Sequence, residues 1–377
     1  MTSRAKINPE MMKWARKRAG FINGYEDTLP KNIKSRYESW ESGEKIPTWN
    51  QLREVSKKYC LPTAFFFRDT PPDFEKDHTF INYRKLDNAD YSYKSPNLIK
   101  SIRKSEIRRN IFIDLLDELN EDTIYFKKFS GTINKRNICE YIRNVLDVSV
   151  DEQKMLSKDF EHYSVLNFWK EKLYEKLGVL IFETKDVDIK EMRALCIFKN
   201  RVPIILLNGK DSVNGRIFSL FHELTHLLLG ESAICDEKDY IKEEIFCNNV
   251  AGEFLVPSND LNKEYFDDFS NYSLKKLSNL YGVSTYVIIR RLLDISKIRK
   301  KDYDLKVEEI KHNYNSNKYG SGGNFLNNQI KYYSKPYYRL VLDAYELGRI
   351  NLSDFMNYTN LKGKDIPELQ KRICGGV

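Results

Sequence analysis

The stretch Phe218-Ser219-Leu220-Phe221-His222-Glu223-Leu224-Thr225-His226-Leu227-Leu228-Leu229-Gly230 decides how the rest of the chain is read. Ile217, Phe221, Leu224 and Leu228 recur at i, i+4, i+7 and i+11, one apolar stripe of an amphipathic helix. Asn214 or Ser212 can cap its start, and Gly230 suits its end. At about 3.6 residues per turn, His222 and His226 leave the same face one turn apart, so both imidazoles reach a single metal ion. Glu223 is offset beside them, where it can hold a metal-bound water. The competing reading is a buried helix with two incidental histidines. Because the chain has only five histidines, two of them around a glutamate at this spacing favour zinc.

Two histidines do not complete a catalytic zinc site, which takes three protein ligands and an open position. The next helical stretch, Glu243-Glu244-Ile245-Phe246-Cys247-Asn248-Asn249-Val250-Ala251-Gly252-Glu253-Phe254-Leu255-Val256-Pro257, supplies candidates. Glu244 and Asn248 lie one turn apart, as a third ligand and a hydrogen-bond partner for a ligand imidazole. Glu243 and Glu253 compete for the ligand role, and Cys235 or Cys247 would be competent as thiolates. Composition does not choose among them. Upstream, Val179 to Phe182, Ala194 to Phe198 and Val202 to Leu207 are short, β-branched runs that predict three strands of a small sheet backing the helix.

Phe218 to Gly230, followed by Glu244-x-x-Cys247-Asn248-x-Val250-Ala251-Gly252-Glu253-Phe254-Leu255-Val256-Pro257, resembles the ImmA/IrrE family of metallopeptidases over roughly residues 175 to 295. The resemblance implies a zincin-like fold with Zn2+ held by His222, His226 and Glu244, and with Glu223 as the catalytic carboxylate. It also implies a protein substrate, a repressor or similar regulator in a bacterial mobile-element, toxin-antitoxin or stress circuit. Thr225 stands where a smaller residue is usual, Cys247 replaces Ala and Val250 replaces Phe; none of these removes a ligand. Tyr281, His312 and Arg290 are candidates for steadying an oxyanion, with no geometry to choose among them.

A chain of 377 residues is long enough for two to four domains, and 41% hydrophobic content supports packed cores. No apolar run approaches the roughly 20 residues of a membrane helix, and the amino terminus lacks a signal-peptide apolar core, so a membrane partner is not expected and a cytoplasmic location is. The six cysteines are scattered, which predicts free thiols in a reducing compartment. Net charge is +8, and residues 1–69 hold 14 Lys+Arg against 8 Asp+Glu, so most of the excess lies at the amino terminus. Nucleic acid is the commonest partner for such a patch; a solvated face with spare lysines is the alternative.

In that segment Asn8 and Pro9 open a helix to about Ala19, with Ile7 and Met12 at staple spacing. Gly20 to Pro30 carries irregular signal. Lys31 to Trp40 is a basic helix ended by Gly43, and Thr48 with Gln51 forms a capping box for a third. Trp40-Glu41-Ser42-Gly43, Ile46-Pro47-Thr48, Gln51-Leu52, Tyr59, Leu61-Pro62 and Phe65-Phe66-Phe67 look like the xenobiotic-response-element (Cro/C1-type) helix-turn-helix module over residues 7–75. The resemblance implies double-stranded DNA as a partner, with Lys31, Lys34, Ser35 and Arg36 as contacts. The competing use is dimerisation or docking of a partner.

Beyond the site, Leu274 to Leu292 reads as two short helices joined at Gly282-Val283-Ser284, packed through Ile288, Leu292 and Ile295. Gly320 to Gly323 reads as a hinge. After it, Leu340, Ala344 and Leu347 share a helical face, Gly348 stops the helix and Ser353 opens another. The expected fold is α+β and mainly α-helical. Its expected divisions are a helix-turn-helix domain at 1–73, a helical linker region at 74–175, a peptidase domain at 176–300 with the helix pair at 272–295, and a helical extension at 320–377. A zinc endopeptidase that cuts a regulator is the first function expected. A non-proteolytic DNA-binding regulator or antitoxin, paired with a toxin and carrying a structural or vestigial metal site, is the alternative, and a homodimer fits either.

Overall fold

The computed structural model describes residues 3–21, 31–71, 81–84, 95–230, 237–265, 268–314 and 325–374. The chain divides into two compact units, the first from residues 1–79 and 87–108, the second from 80–86 and 109–377. The boundary expected near residue 73 falls outside the described residues, as do residues 22–30 of the irregular stretch.

The first unit holds α1 (Pro9–Arg18), α2 (Lys31–Glu41), α3 (Trp49–Tyr59) and the opening part of α4 (Pro96–Leu119). Asn8 caps α1 by accepting the Glu10 N–H at 3.0 Å, with Pro9 at the first helical position. Thr48 and Gln51 close a reciprocal capping box on α3. Met12, Ala15, Tyr37, Trp40, Leu52, Val55, Tyr59 and Phe66 make the core, and a largely buried Arg16 to Glu41 ion pair at 2.9 Å ties α1 to α2.

The second unit is built on a four-stranded sheet of β1 (Ile81–Arg84), β2 (Leu180–Thr184), β3 (Ala194–Ile197) and β4 (Ile204–Asn208), in the order β1-β3-β4-β2. β2 runs parallel to β4, and β3 runs antiparallel to both β1 and β4. Every residue of β2, β3 and β4 is buried, which is why Leu180 to Phe182, Ala194 to Ile197 and Ile204 to Leu207 read as apolar runs without alternation. β1 lies in the stretch read as wholly helical. Four residues carry no period of their own, and the strand exists through its pairing with Ala194 to Ile197.

Around the sheet pack α5 (Lys135–Leu146), α6 (Val150–Asp159), α7 (His162–Leu177), α8 (Val213–Leu229), α9 (Glu237–Leu255), α10 (Ser258–Glu264), α11 (Asn271–Tyr281), α12 (Thr285–Asp294) and α13 (Lys300–Tyr314). α14 (Phe325–Tyr333), α15 (Lys335–Glu346), α16 (Leu352–Thr359) and α17 (Ile366–Cys374) complete the unit. One core runs from Ile138, Ile142 and Leu146 through Trp169 and Leu173 to the sheet, α8, α9 and the pair α11 and α12. Residues 135–177 thus supply core to the site rather than a bare connection. Ile288 and Leu292 are fully buried, so the pair at Gly282 packs inward as expected.

The tail differs in detail from its sequence pattern. Leu347 is 67% exposed, because α15 ends at Glu346 and Gly348 turns the chain with a positive φ. Asn351, not Ser353, opens α16, accepting the Asp354 N–H at 3.0 Å. The expected hinge at Gly320 to Gly323 lies outside the described residues. The fold is mainly helical α+β, and no helix among the described residues is long and apolar enough to cross a membrane.

Candidate metal centre

α8 begins at Ser212, whose hydroxyl accepts the Gly215 N–H at 3.1 Å, and ends at Gly230. From Ile217 to Leu228 almost its whole circumference is interior, and His222, Glu223 and Thr225 are fully buried. Thr225 is accommodated by turning its hydroxyl back onto the Phe221 carbonyl at 2.8 Å. The Phe221 ring lies 5.0 Å from Trp169 on α7 and 4.2 Å from Phe254 on α9, so three helices are pinned together one residue before His222.

That packing brings α9 onto the histidines. The two Nε2 atoms are 3.2 Å apart; Glu244 places one carboxylate oxygen 3.3 Å from His222 Nε2 and the other 3.0 Å from His226 Nε2. His222, His226 and Glu244 form a cluster with one donor atom each, all within 4.8 Å of one another. Ligands about 2.0–2.1 Å from a tetrahedral zinc stand about 3.3 Å from each other, so the observed spacings fit such an ion. Glu223, next along α8, is buried beside the Cys196 thiol of β3.

Glu243 takes a different position from Glu244. Its carboxylate lies 2.9 Å from His226 Nδ1, the other nitrogen of the ring whose Nε2 lies beside Glu244. This is the imidazole contact expected of Asn248. The Asn248 Oδ1 is instead buried with no hydrogen-bond partner among the described residues. A step of one residue along a helix turns a side chain by about 100°, which sends adjacent carboxylates to the two different nitrogens of one ring.

Electrostatics sort the remaining candidates. Burial opposes ionisation of Glu244, but hydrogen bonds to both imidazoles outweigh it and hold the carboxyl well below its usual range. Burial pushes the Cys247 thiol up to about 11 and raises Cys196 well above an ordinary thiol, so neither is a ready thiolate. Glu253 faces away, bonded to Ser258, Arg291 and Lys135. Cys235 lies outside the described residues, as does the His312 side chain. The Tyr281 hydroxyl donates to Asp260 at 2.7 Å and Arg290 pairs with Asp294 at 3.0 Å, so neither is directed at an oxyanion.

In the first unit, α2 turns Tyr37 and Trp40 inward and leaves Ser35 and Arg36 exposed, with Lys34 half-buried 3.8 Å from Glu38. The Lys31 side chain lies outside the described residues.

No curated protein matches the chain. Among solved structures it is similar to a Mycobacterium tuberculosis transcriptional regulator at 14% identity and a TM-score of 0.28, over 42% of this chain and 51% of that one. The match thus spans about half the length of that solved chain. Residues 174–293, which contain β2 to β4, α8 and α9, match the family model Peptidase_M78, the IrrE N-terminal-like domain, and so the His-Glu-x-x-His helix lies within a metallopeptidase-like domain.

Proposed function

We propose that the second unit is a zinc-dependent endopeptidase in which His222, His226 and Glu244 hold the ion and Glu223 is the general base. The observation that carries this is the 3.2 Å approach of the two Nε2 atoms and the two Glu244 carboxylate oxygens 3.3 and 3.0 Å from them, with a buried carboxylate adjacent on the same helix. When bound, zinc lowers the pKa of a water towards about 7 and polarises a substrate carbonyl. Glu223 takes the proton of the attacking water and passes it to the leaving amine as the peptide bond breaks. Glu243 fixes the His226 tautomer and ring angle, so that Nε2 stays a lone-pair donor. Burial of α8 excludes bulk water from around Glu223, which strengthens each of these interactions.

The substrate is a regulatory protein, a repressor or its like, and the first unit is a DNA-binding helix-turn-helix module that localises the enzyme. Support for the module is its charge excess, the exposed Ser35 and Arg36 on α2 and the sequence resemblance. One experiment separates this reading from a non-proteolytic regulator or antitoxin. Glu223→Gln should keep its zinc by atomic absorption and lose cleavage of the cognate regulator, by a factor of about 10² or more. Full regulatory activity in that variant would sink the peptidase reading and favour the DNA-binding alternative.

A further inference from the structure

Among the described residues the sheet has two edge strands, and they stand differently to the cluster on α8. β2, at one edge, meets α8 through the Glu183 to Arg216 ion pair at 2.5 Å, six residues before His222, and α14 packs against it. Towards the other edge, β3 places Cys196 beside Glu223 itself, and of the described strands only β1 lies beyond it. α8 packs against β1 as well as against β3 and β4. The side of the sheet that serves His222, Glu223 and His226 is therefore the β3 side.

A peptidase that cuts a protein chain holds it extended. A common way is to add the chain as a further strand on a sheet edge, where main-chain hydrogen bonds bind with little regard to sequence. A peptide paired directly with β3 lies about 4.8 Å from the strand that carries Cys196, and one added outside β1 lies about 10 Å from it. A general base works over roughly 3 Å, or through one water, so only the first place is within reach of Glu223. That place is the outer edge of β3, and β1 fills it. Ile81 to Arg84 run antiparallel to Ile197 to Ala194, with Asn82 opposite Cys196.

β1 is weakly held for a built-in strand. It is four residues long, pairs with β3 alone among the described strands, and lies outside the metallopeptidase-like domain at 174–293. The chain reaches it from the first unit and returns to the first unit after Leu86. Its departure breaks one short ladder and leaves the pairings of β4 with β2 and β3 intact. A longer incoming segment, rich in β-branched or aromatic residues, makes more main-chain bonds on the same edge.

We propose that β1 is an autoinhibitory strand: it occupies the place on β3 that an extended segment of the protein substrate takes, and the substrate binds by displacing it. The inference rests on the peptidase reading and adds to it how the site is kept closed. Adjacent residues of a strand turn their N–H groups to opposite sides, so Asn82→Pro combined with Tyr83→Pro removes an N–H that faces β3 in either phase of the ladder.

Binding of fluorescein-labelled casein, an unfolded polypeptide, to the full chain carrying Glu223→Gln, where no cleavage intervenes, is read by fluorescence anisotropy. Adding the two prolines should tighten casein binding by about tenfold or more. A free peptide of residues Phe80–Leu86 should then compete with casein, and a scrambled peptide of the same composition should not. Asn82→Val raises strand propensity and should do the reverse, weakening casein binding several-fold. With Glu223 restored, cleavage of casein should rise and fall with binding across the same variants. Unchanged or weaker binding in the double variant would overturn the proposal, and so would equal competition by the scrambled peptide. Should circular dichroism show the double variant to be unfolded, unchanged binding in Asn82→Val would overturn it instead. Tighter casein binding without cleavage in any variant would support displacement of the strand and sink the peptidase reading alone.

Discussion

Glu243, Glu244 and Glu253 lie on one helix within eleven positions and meet three different fates, set by which way each points. Glu244 reaches both Nε2 atoms and Glu243 reaches Nδ1 of His226. Glu253 points to the far side, where it receives the Ser258 N–H at 2.9 Å and Arg291 at 2.6 Å. Burial would raise the Glu253 carboxyl, but those bonds and the Arg291 charge lower it to about 2. A carboxyl depressed in the folded state contributes its full stability above its unfolded value of 4.5, and loses it as the pH falls towards 2. After discounting for its partial exposure, that contribution is about 1–2 kcal/mol. Glu253→Gln should therefore destabilise the protein at pH 7 by about that much and flatten the loss of stability between pH 4.5 and 2, as read by urea melts across that range. At this scale the sequence was legible where spacing alone decides, as for His222 and His226. It was not legible where direction decides: three acidic residues on a helix are chemically alike until the neighbouring helix fixes its rotation. Asn248 shows the same limit, since a turn's separation from Glu244 did not bring its Oδ1 to an imidazole.

At the scale of elements, the most legible was α8, whose apolar stripe, Ser212 cap and terminal Gly230 all carry sequence signals. β2, β3 and β4 were legible as buried runs, with ends shifted by a residue or two because pairing sets them. β1 was not, since Ile-Asn-Tyr-Arg has neither length nor alternation and is a strand only because β3 has a free edge. The join between α7 and β2 is the shortest of the connections to the sheet among the described residues. Gly178 ends α7 with a φ of 68°, and a Cβ there would lie 2.7 Å from the Ile124 carbonyl oxygen. Gly178→Ala therefore meets both a left-handed backbone and a backbone atom that has little room to move. It should cost about 2–4 kcal/mol in a denaturant titration, more than the conformational penalty of about 1 kcal/mol alone. A change below 0.5 kcal/mol would mean that Ile124 gives way freely.

For the molecule as a whole, the chain passes from the first unit to the second at β1, returns for residues 87–108, and crosses again within α4. Composition and periodicity suggested a simple series of modules, because neither reports which distant segments share a sheet. A fragment that starts at residue 109 lacks β1 and leaves the β3 edge unpaired. It should aggregate more, and melt lower, than a fragment that starts at residue 80; light scattering and thermal melts of the two would check this. Equal behaviour would show that β1 contributes nothing to the edge.

The same crossing has a consequence in time. β1 leaves the ribosome about 110 residues before the β3 residues with which it pairs. At a synthesis rate of about 5–20 residues per second, that is a wait of roughly 5–20 s. Every residue of the first unit has been made by residue 108, early in that interval. Its core can close while β1 is still a strand without a sheet. A four-residue strand with polar Asn82 and Arg84 among its members is a poor template for pairing with other nascent chains. The brevity that hid β1 in the sequence is thus also what makes its long wait safe.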